Sequence, residues 1–423
     1  MDAGYRFGIE EEYFLADATT RGTPQGSVKA FHDAARARLP AAERELLQSQ
    51  IEVSTQPSTS FAEARAALAE LRGGLAAVGR EHGILVLAAG THPVAQWARQ
   101  RHTEAERYEG LMRELRILGR RNVVCGMHVH VEVPRPEARV DLMNRLLPTM
   151  PLLLALSASS PFWQGRATGM AAYRLSAFGE MPRTGLPDLF DGPEDYARYV
   201  DLMTRTGAIK DASFLWWTLR PSVRYPTLEL RIADSCTLLE HTLAVAALYR
   251  CLVRFADRRP EWNRGLTGAS RAIVAENLWR AQRDGVHAAL IDPERGEAVP
   301  FAACLEAVLA LVAEDADALG CADEAGSARA IAAAGTSADR QLDAFHEALR
   351  RGEGEREAAG AAVQWLARAT AGAAGAGAAG TEAAETGAAE TGAAGAGAAG
   401  TGAADAGAAG TGAAGAGATG AGA

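Results

Sequence analysis

Lysine is almost missing from this chain: Lys29 and Lys210 are the only two, so nearly all of the 43 basic residues are arginine. No G-x-x-x-x-G-K-[ST] run exists, which excludes a P-loop site and its phosphate-binding lysine. A phosphate or carboxylate on a ligand would be held by forked guanidinium groups instead. Cysteine is sparse too. Cys125, Cys236, Cys251, Cys304 and Cys321 are odd in number, far apart and without a C-x-x-C, which suits a reducing cytoplasm rather than a disulfide framework. The most apolar stretch, 150–156, is far too short to span a bilayer. The N-terminus carries no charged segment followed by an apolar one, so neither a membrane partner nor export is expected. Positive charge is not in excess: the net −9 and the lack of a basic stripe argue against nucleic acid as a partner.

Large side chains vanish after about Ala371, where the sequence becomes Ala, Gly and Thr almost throughout. Such a segment has little to bury and much entropy to lose, so 371–423 is expected to be a disordered tail. Residues 1–370 remain, enough for one large α/β domain or two fused lobes with a substantial buried core. Stretches rich in Ala, Leu, Arg and Glu with helical periodicity predict helices over 61–82, 139–157, 238–255, 270–283, 301–319 and 327–351. Alternating or β-branched runs predict strands over 5–15, 48–55, 84–88, 123–133 and 227–233. Interspersed strands and helices give an α/β or α+β domain, strand-rich over 1–237 and almost purely helical over 238–370.

Four of the strands carry the chemistry, because side chains alternate along a strand. Gly8-Ile9-Glu10-Glu11-Glu12-Tyr13 puts Glu10 and Glu12 on one face, about 7 Å apart, where they repel by roughly 2 kcal/mol at an effective dielectric near 20. Mg²⁺ or Mn²⁺ would convert that cost into binding, since hard cations select carboxylate oxygens. Glu52 lies opposite Ile51 and Val53; His128, His130 and Glu132 alternate with aliphatic neighbours; Glu229 and Arg231 oppose Leu228, Leu230 and Ile232. If these strands are neighbours in one sheet, a single polar face collects Glu10, Glu12, Glu52, His128 and Glu229. Taken singly, Glu10 and Glu12 are better read as the solvated side of an edge strand than as metal ligands. Glu11 falls among apolar residues and calls for an arginine partner. The H-x-H of His128 and His130 also suits a zinc hydrolase, although no H-E-x-x-H or familiar zinc spacing accompanies it, and His130 is as readily a histidine hydrogen-bonded within the sheet. The loop Ser157–Arg166, with Trp163, the pair Tyr173-Arg174, and the run from Trp216 to Ser222 place guanidinium groups beside aromatics, as a binding wall or a packed surface would.

Read together, G-I-E-E-E-Y, Q-S-Q-I-E-V-S-T, C-G-M-H-V-H-V, S-A-S-S-P-F-W-Q-G-R, A-Y-R and R-P-S-V-R-Y-P-T-L-E-L-R-I-A-D-S-C-T resemble, in order and content, the glutamate-cysteine ligase type 2 family of carboxylate-amine ligases. The resemblance implies an α+β, glutamine-synthetase-like fold whose curved, mainly antiparallel sheet walls a cleft for ATP and Mg²⁺. It implies an ATP-dependent ligase that activates a small-molecule carboxylate as an acyl phosphate and joins it to an amine. It assigns metal binding to Glu10, Glu12, Glu52, His128 and Glu229, catalytic contacts to Arg174 and Arg231, and substrate or ATP contacts to Trp163, Arg166, Arg220 and His130. A homodimer is expected from the general frequency of such assemblies. Ala167 and Thr218 stand where the family's G-R-D-T-G and W-W-D-x-R-P carry acids, which points to a different acid or amine. A substrate-binding homologue without turnover is the alternative, and an amide hydrolase the more distant one.

Overall fold

The computed structural model describes residues 4–26 and 28–372; the expected tail, from 373 onward, lies outside them. Thirteen strands are present among the described residues: β1 (Phe7–Asp17), β2 (Ala42–Arg44), β3 (Gln50–Ser54), β4 (Ile84–Leu87), β5 (Met127–Glu132), β6 (Phe162–Trp163), β7 (Arg166–Ala167), β8 (Thr184–Gly185), β9 (Trp216–Trp217), β10 (Leu219–Pro221), β11 (Thr227–Leu230), β12 (Ala289–Asp292) and β13 (Glu297–Pro300). Seven of them form one antiparallel sheet, six in the order β10-β11-β5-β1-β3-β2 and β4 off that path beside β1. β1 is long enough to pair with β5 through its first half and with β4 through its second, along the same edge. The remaining strands form three separate pairs.

Local chemistry sets the best-defined helix. Over Phe61–His82 the side chain of Ser60 accepts the Glu63 N–H, and Gly83 closes the other end at φ 64°, a left-handed turn that favours glycine. Phe61, Ala64, Leu68, Leu71, Leu75 and Val78 recur at three- and four-residue spacing and are all buried. The expected helix over 139–157 is instead two, Arg139–Leu146 and Met150–Ser157, because Pro148 supplies no amide hydrogen to carry it through. The one over 327–351 divides at Gly335, whose φ is 83°. One further correction concerns the C-terminal part. The β12–β13 hairpin interrupts a region expected to be helical almost throughout, while Glu355–Ala371, within that region though not among the individual helices expected, forms a helix packed on Ser337–Arg350.

The two faces of the sheet have different fates. One carries Phe7, Ile9, Val129, Val131, Leu228 and Leu230 against the Leu239–Arg258 helix, in which residues 242–256 are all buried. Each such aliphatic side chain contributes roughly 2 kcal/mol on leaving water. Glu11 lies on this face, wholly buried, and its partner is Arg72, which also donates to the carbonyls of Cys236 and Thr237. On the opposite face, Phe14 and Ala16 are covered by Phe162, Phe345, Val363 and Leu366. That cover does not include Glu10 and Glu12, which lie on the same face and stay partly exposed. No helix among the described residues is long and apolar enough to cross a membrane.

Candidate active site

Register brings the acids together. Glu12 stands directly opposite Glu52 across β1 and β3, Glu10 opposite His128 across β1 and β5, and Glu229 opposite His130 across β11 and β5. Directly opposed residues of an antiparallel pair share a face. Glu10, His128 and Glu229 each offer one ligand atom within 4.8 Å of one another, and Glu12, Glu52 and His128 do the same. His128 belongs to both groups, so the two candidate cation positions adjoin.

The hydrogen bonds prepare these side chains. Nδ1 of His128 lies 3.3 Å from a Glu10 oxygen, while Nε2 is buried without a partner. A proton on Nδ1 donated to Glu10 leaves the Nε2 lone pair free for a cation, the usual arrangement of a carboxylate-supported ligand. Glu12 accepts the Gly126 N–H at 2.6 Å, which aims its other oxygen toward His128. Glu229 is held on both sides: Arg220 grips it in a fork at 2.7 and 3.2 Å, and Arg231 donates to it as well.

Electrostatics separate the acids into two kinds. Burial pushes the Glu10 carboxyl up, but the hydrogen bonds from His128 and His130 outweigh it and hold the group well below the usual range. Glu229 is likewise depressed, because Arg231 and Arg220 overcome its desolvation. Glu52 goes the other way. Burial and the neighbouring charges of Glu45, Glu10, Glu12 and Glu43 raise it well above an ordinary carboxyl. Acids crowded without enough cations are what a divalent ion would relieve, and an oxygen-rich donor set with one imidazole suits a hard ion such as Mg²⁺ or Mn²⁺ better than zinc.

Arg174 is buried at the start of the short helix Arg174–Phe178, and its guanidinium rests on Gly126: a Cβ on that glycine would lie 2.2 Å from Nη2. Its hydrogen bonds to the carbonyls of Arg231 and Ile232 are long, 3.3 to 3.4 Å, and Nε has no partner. Nε of Arg231 is also without one. These two guanidiniums therefore keep donors in reserve beside the acids. Arg220 does not. Besides Glu229 it donates to the carbonyls of Ser213 and Leu215, so it orients Glu229 and has no fork left for a ligand. His130 bonds Thr227 through Nδ1 and sits 3.4 Å from Glu10 through Nε2, the within-sheet role. Trp163 and Arg166 face each other across β6 and β7, and the Trp163 ring packs on Tyr173. Among the described residues neither hydrogen-bonds the acid cluster.

Three neighbours escaped the sequence reading. Glu43 lies opposite Glu52 in β2, and Glu45 follows two residues later; their alternation around Arg44 repeats the spacing of Glu10 and Glu12 and was the available signal. Tyr225, 54% exposed, meets the His130 ring edge-on at 6.0 Å, and nothing in its local pattern marked it. The unmatched Thr218 is buried with an unpartnered Oγ1, and its carbonyl accepts the Arg231 N–H. Ala167 is exposed.

Solved ligase structures share this fold. The glutamate–cysteine ligase of Francisella tularensis, solved in complex with AMP, superposes with a TM-score of 0.63 at 11% identity over 87% of this chain and 89% of that one. A bifunctional glutathione synthetase of Pasteurella multocida gives 0.61 at 16% identity, over 86% of this chain and 53% of the other. The fold is thus that of the glutamate–cysteine ligases. The profile described as Glutamate-cysteine ligase family 2 (GCS2) matches residues 6–364, and the chain belongs to that family. A relative from Bradyrhizobium diazoefficiens, named "Putative glutamate--cysteine ligase 2", is 45% identical over 82% of this chain and 81% of its own. One of the same name from Rhodospirillum rubrum is 44% identical over 86% and 95%.

Proposed function

We propose that this protein is an ATP- and Mg²⁺-dependent carboxylate-amine ligase. Glu10, Glu12, Glu52, His128 and Glu229 would hold the cations, which when bound supply charge neutralisation for the phosphates. Arg174 and Arg231 would contact the transferred phosphoryl group and the acidic substrate. The substrate carboxylate attacks the γ-phosphorus of ATP and ADP leaves; the amine nitrogen then attacks the acyl phosphate carbon, phosphate departs and the amine loses a proton. Little covalent help from the protein is needed, since positioning and charge stabilisation carry phosphoryl transfer. The observation that carries this reading is the pair of three-residue groups meeting at His128.

Thr218 beside Arg231 and the exposed Ala167 support a substrate pair other than glutamate and cysteine, because two acceptors for an amine or guanidinium are absent. The deciding experiment incubates purified protein with ATP and Mg²⁺ over a matrix of amino acids and amines, following ADP and the mass of the product. ADP release that needs both an acid and an amine, and stops on chelation, is the expected result. Amide cleavage without ATP, or no turnover with any pair, contradicts the ligase reading. Efficient formation of γ-glutamylcysteine contradicts the altered substrate choice alone.

A further inference from the structure

Beneath the acid cluster lies a buried ring of contacts in which Asp234 takes part through its main chain and one carboxylate oxygen. Asp234 is 0% exposed and follows β11, where its main chain stands opposite Gly126. Its Oδ2 accepts the Ser159 N–H at 3.0 Å and the Ser160 hydroxyl at 2.6 Å. Ser160 Oγ in turn accepts the N–H of Arg174 at 3.0 Å. Arg174 then reaches back so that its guanidinium covers Gly126, whose N–H binds Glu12. The ring runs from Asp234 through Ser160 and Arg174 to Gly126 and closes on Asp234.

Two glycines make room for it. A Cβ on Gly90 would lie 2.4 Å from the Asp234 carboxyl carbon, as one on Gly126 would collide with Arg174. Yet Oδ1 of Asp234 and Nε of Arg174 are both buried without partners. Unpartnered buried polar atoms cost stability, so a cluster built only to hold the fold would not leave two. Arg174 is also the charged group whose attraction most offsets the desolvation of Asp234.

Resting on the ligase reading, we propose that Asp234 is a positioning residue for Arg174. Through Ser160 it fixes where Arg174 leaves the main chain, and its charge keeps the guanidinium seated on Gly126 beside the acid cluster. Misplacing a phosphoryl-contacting group by about 1 Å costs on the order of 10²-fold in rate.

The test uses Asp234→Asn, which keeps the shape and one acceptor for Ser159 and Ser160 but removes the charge. In the full chain, kcat for ADP release is expected to fall on the order of 10²-fold while the KM for ATP changes little. The melting temperature should stay equal or rise. Calorimetry with Mg²⁺ and ADP should match wild type, whereas any preference of wild type for the β,γ-imido analogue of ATP over ADP should disappear. Ser160→Ala should move in the same direction by less. Wild-type turnover in Asp234→Asn overturns the inference, as does a loss of turnover accompanied by a lower melting temperature and weaker ADP binding, which marks a structural residue. Should wild type bind no nucleotide, the ligase reading falls and this inference falls with it; should wild type turn over and the variant match it, only the inference falls.

Discussion

Replacing Glu52 with glutamine should stabilise the protein without cations and remove most of its response to them. Glu12 and Glu52 bring ligand atoms within 4.8 Å, where two ionised carboxylates repel by about 3.5 kcal/mol at an effective dielectric near 20. Both side chains are partly reached by water, which brings the cost to roughly 1–2 kcal/mol. Whether that cost is borne as repulsion or as the uptake of a proton by Glu52, Glu52→Gln escapes it. For a domain of this size the gain corresponds to a rise of about 1–3 °C in melting temperature. Divalent cations separate the two proteins, because only the intact acid cluster gains from binding them. At a hundredfold excess over its dissociation constant, Mg²⁺ adds about 2.7 kcal/mol to any protein that binds it in the folded state alone. Thermal unfolding of both proteins in chelator and in graded MgCl₂ measures each term. The expected outcome is a higher baseline and a flattened magnesium response for Glu52→Gln. A lower baseline with an undiminished magnesium shift would refute the crowding argument.

Glu229→Gln should behave differently from Glu52→Gln, contrary to the simple idea that deleting any clustered acid relieves repulsion. Here Arg220 and Arg231 both depend on Glu229, so its loss leaves buried guanidiniums uncompensated at a cost of about 3–5 kcal/mol, readable by denaturant unfolding. The depressed Glu229 carboxyl stabilises the fold above its unfolded-state titration range, and that contribution is lost as pH falls through its lower folded value. Asp234 has the reverse sign: burial raises it to about 6 against the attraction of Arg174, so stability present at low pH is lost as pH rises through 6, and Asp234→Asn should flatten that slope in a pH series of melting curves. Arg174→Lys should lower ADP release severely, on the order of 10²-fold, because an ammonium cannot reproduce a forked contact; retained turnover would make Arg174 structural. Gly126→Ala should mimic it, since the added Cβ would lie 2.2 Å from Nη2 of Arg174 and displace it; a wild-type rate would show that the guanidinium need not rest there.

Much of the site was legible in the chain because a period of two is a strong local signal. The alternation in β1, β3, β5 and β11 put Glu10, Glu12, Glu52, His128 and Glu229 each on the polar face of its own strand, a common face once those strands pair. Glu11 was readable for the same reason, as the one acid out of phase. Less was legible where a residue's role depends on what approaches it from far along the sequence. Arg220 resembles Arg231 in its local setting, yet it is saturated by Glu229 and two carbonyls. Tyr225 reaches the site from a turn, whose placement no periodicity reports, and the alternation of Glu43 and Glu45 did not by itself say that they meet Glu52.

The sequence by itself determined which side chains share a face, where helices start and stop at Ser60 and Gly83, and that phosphate would have to be met by arginine. Tertiary structure alone decided the rest. Register chose the opposing pairs Glu12 with Glu52 and Glu10 with His128, the packing of Phe162, Phe345 and Leu366 buried Phe14 and Ala16 but not the acids of the same face, and two glycines gave room to Arg174 and Asp234. The division has a physical cause. Alternation is fixed by the backbone of each strand, whereas charge balance and burial belong to groups that meet only when the chain has folded.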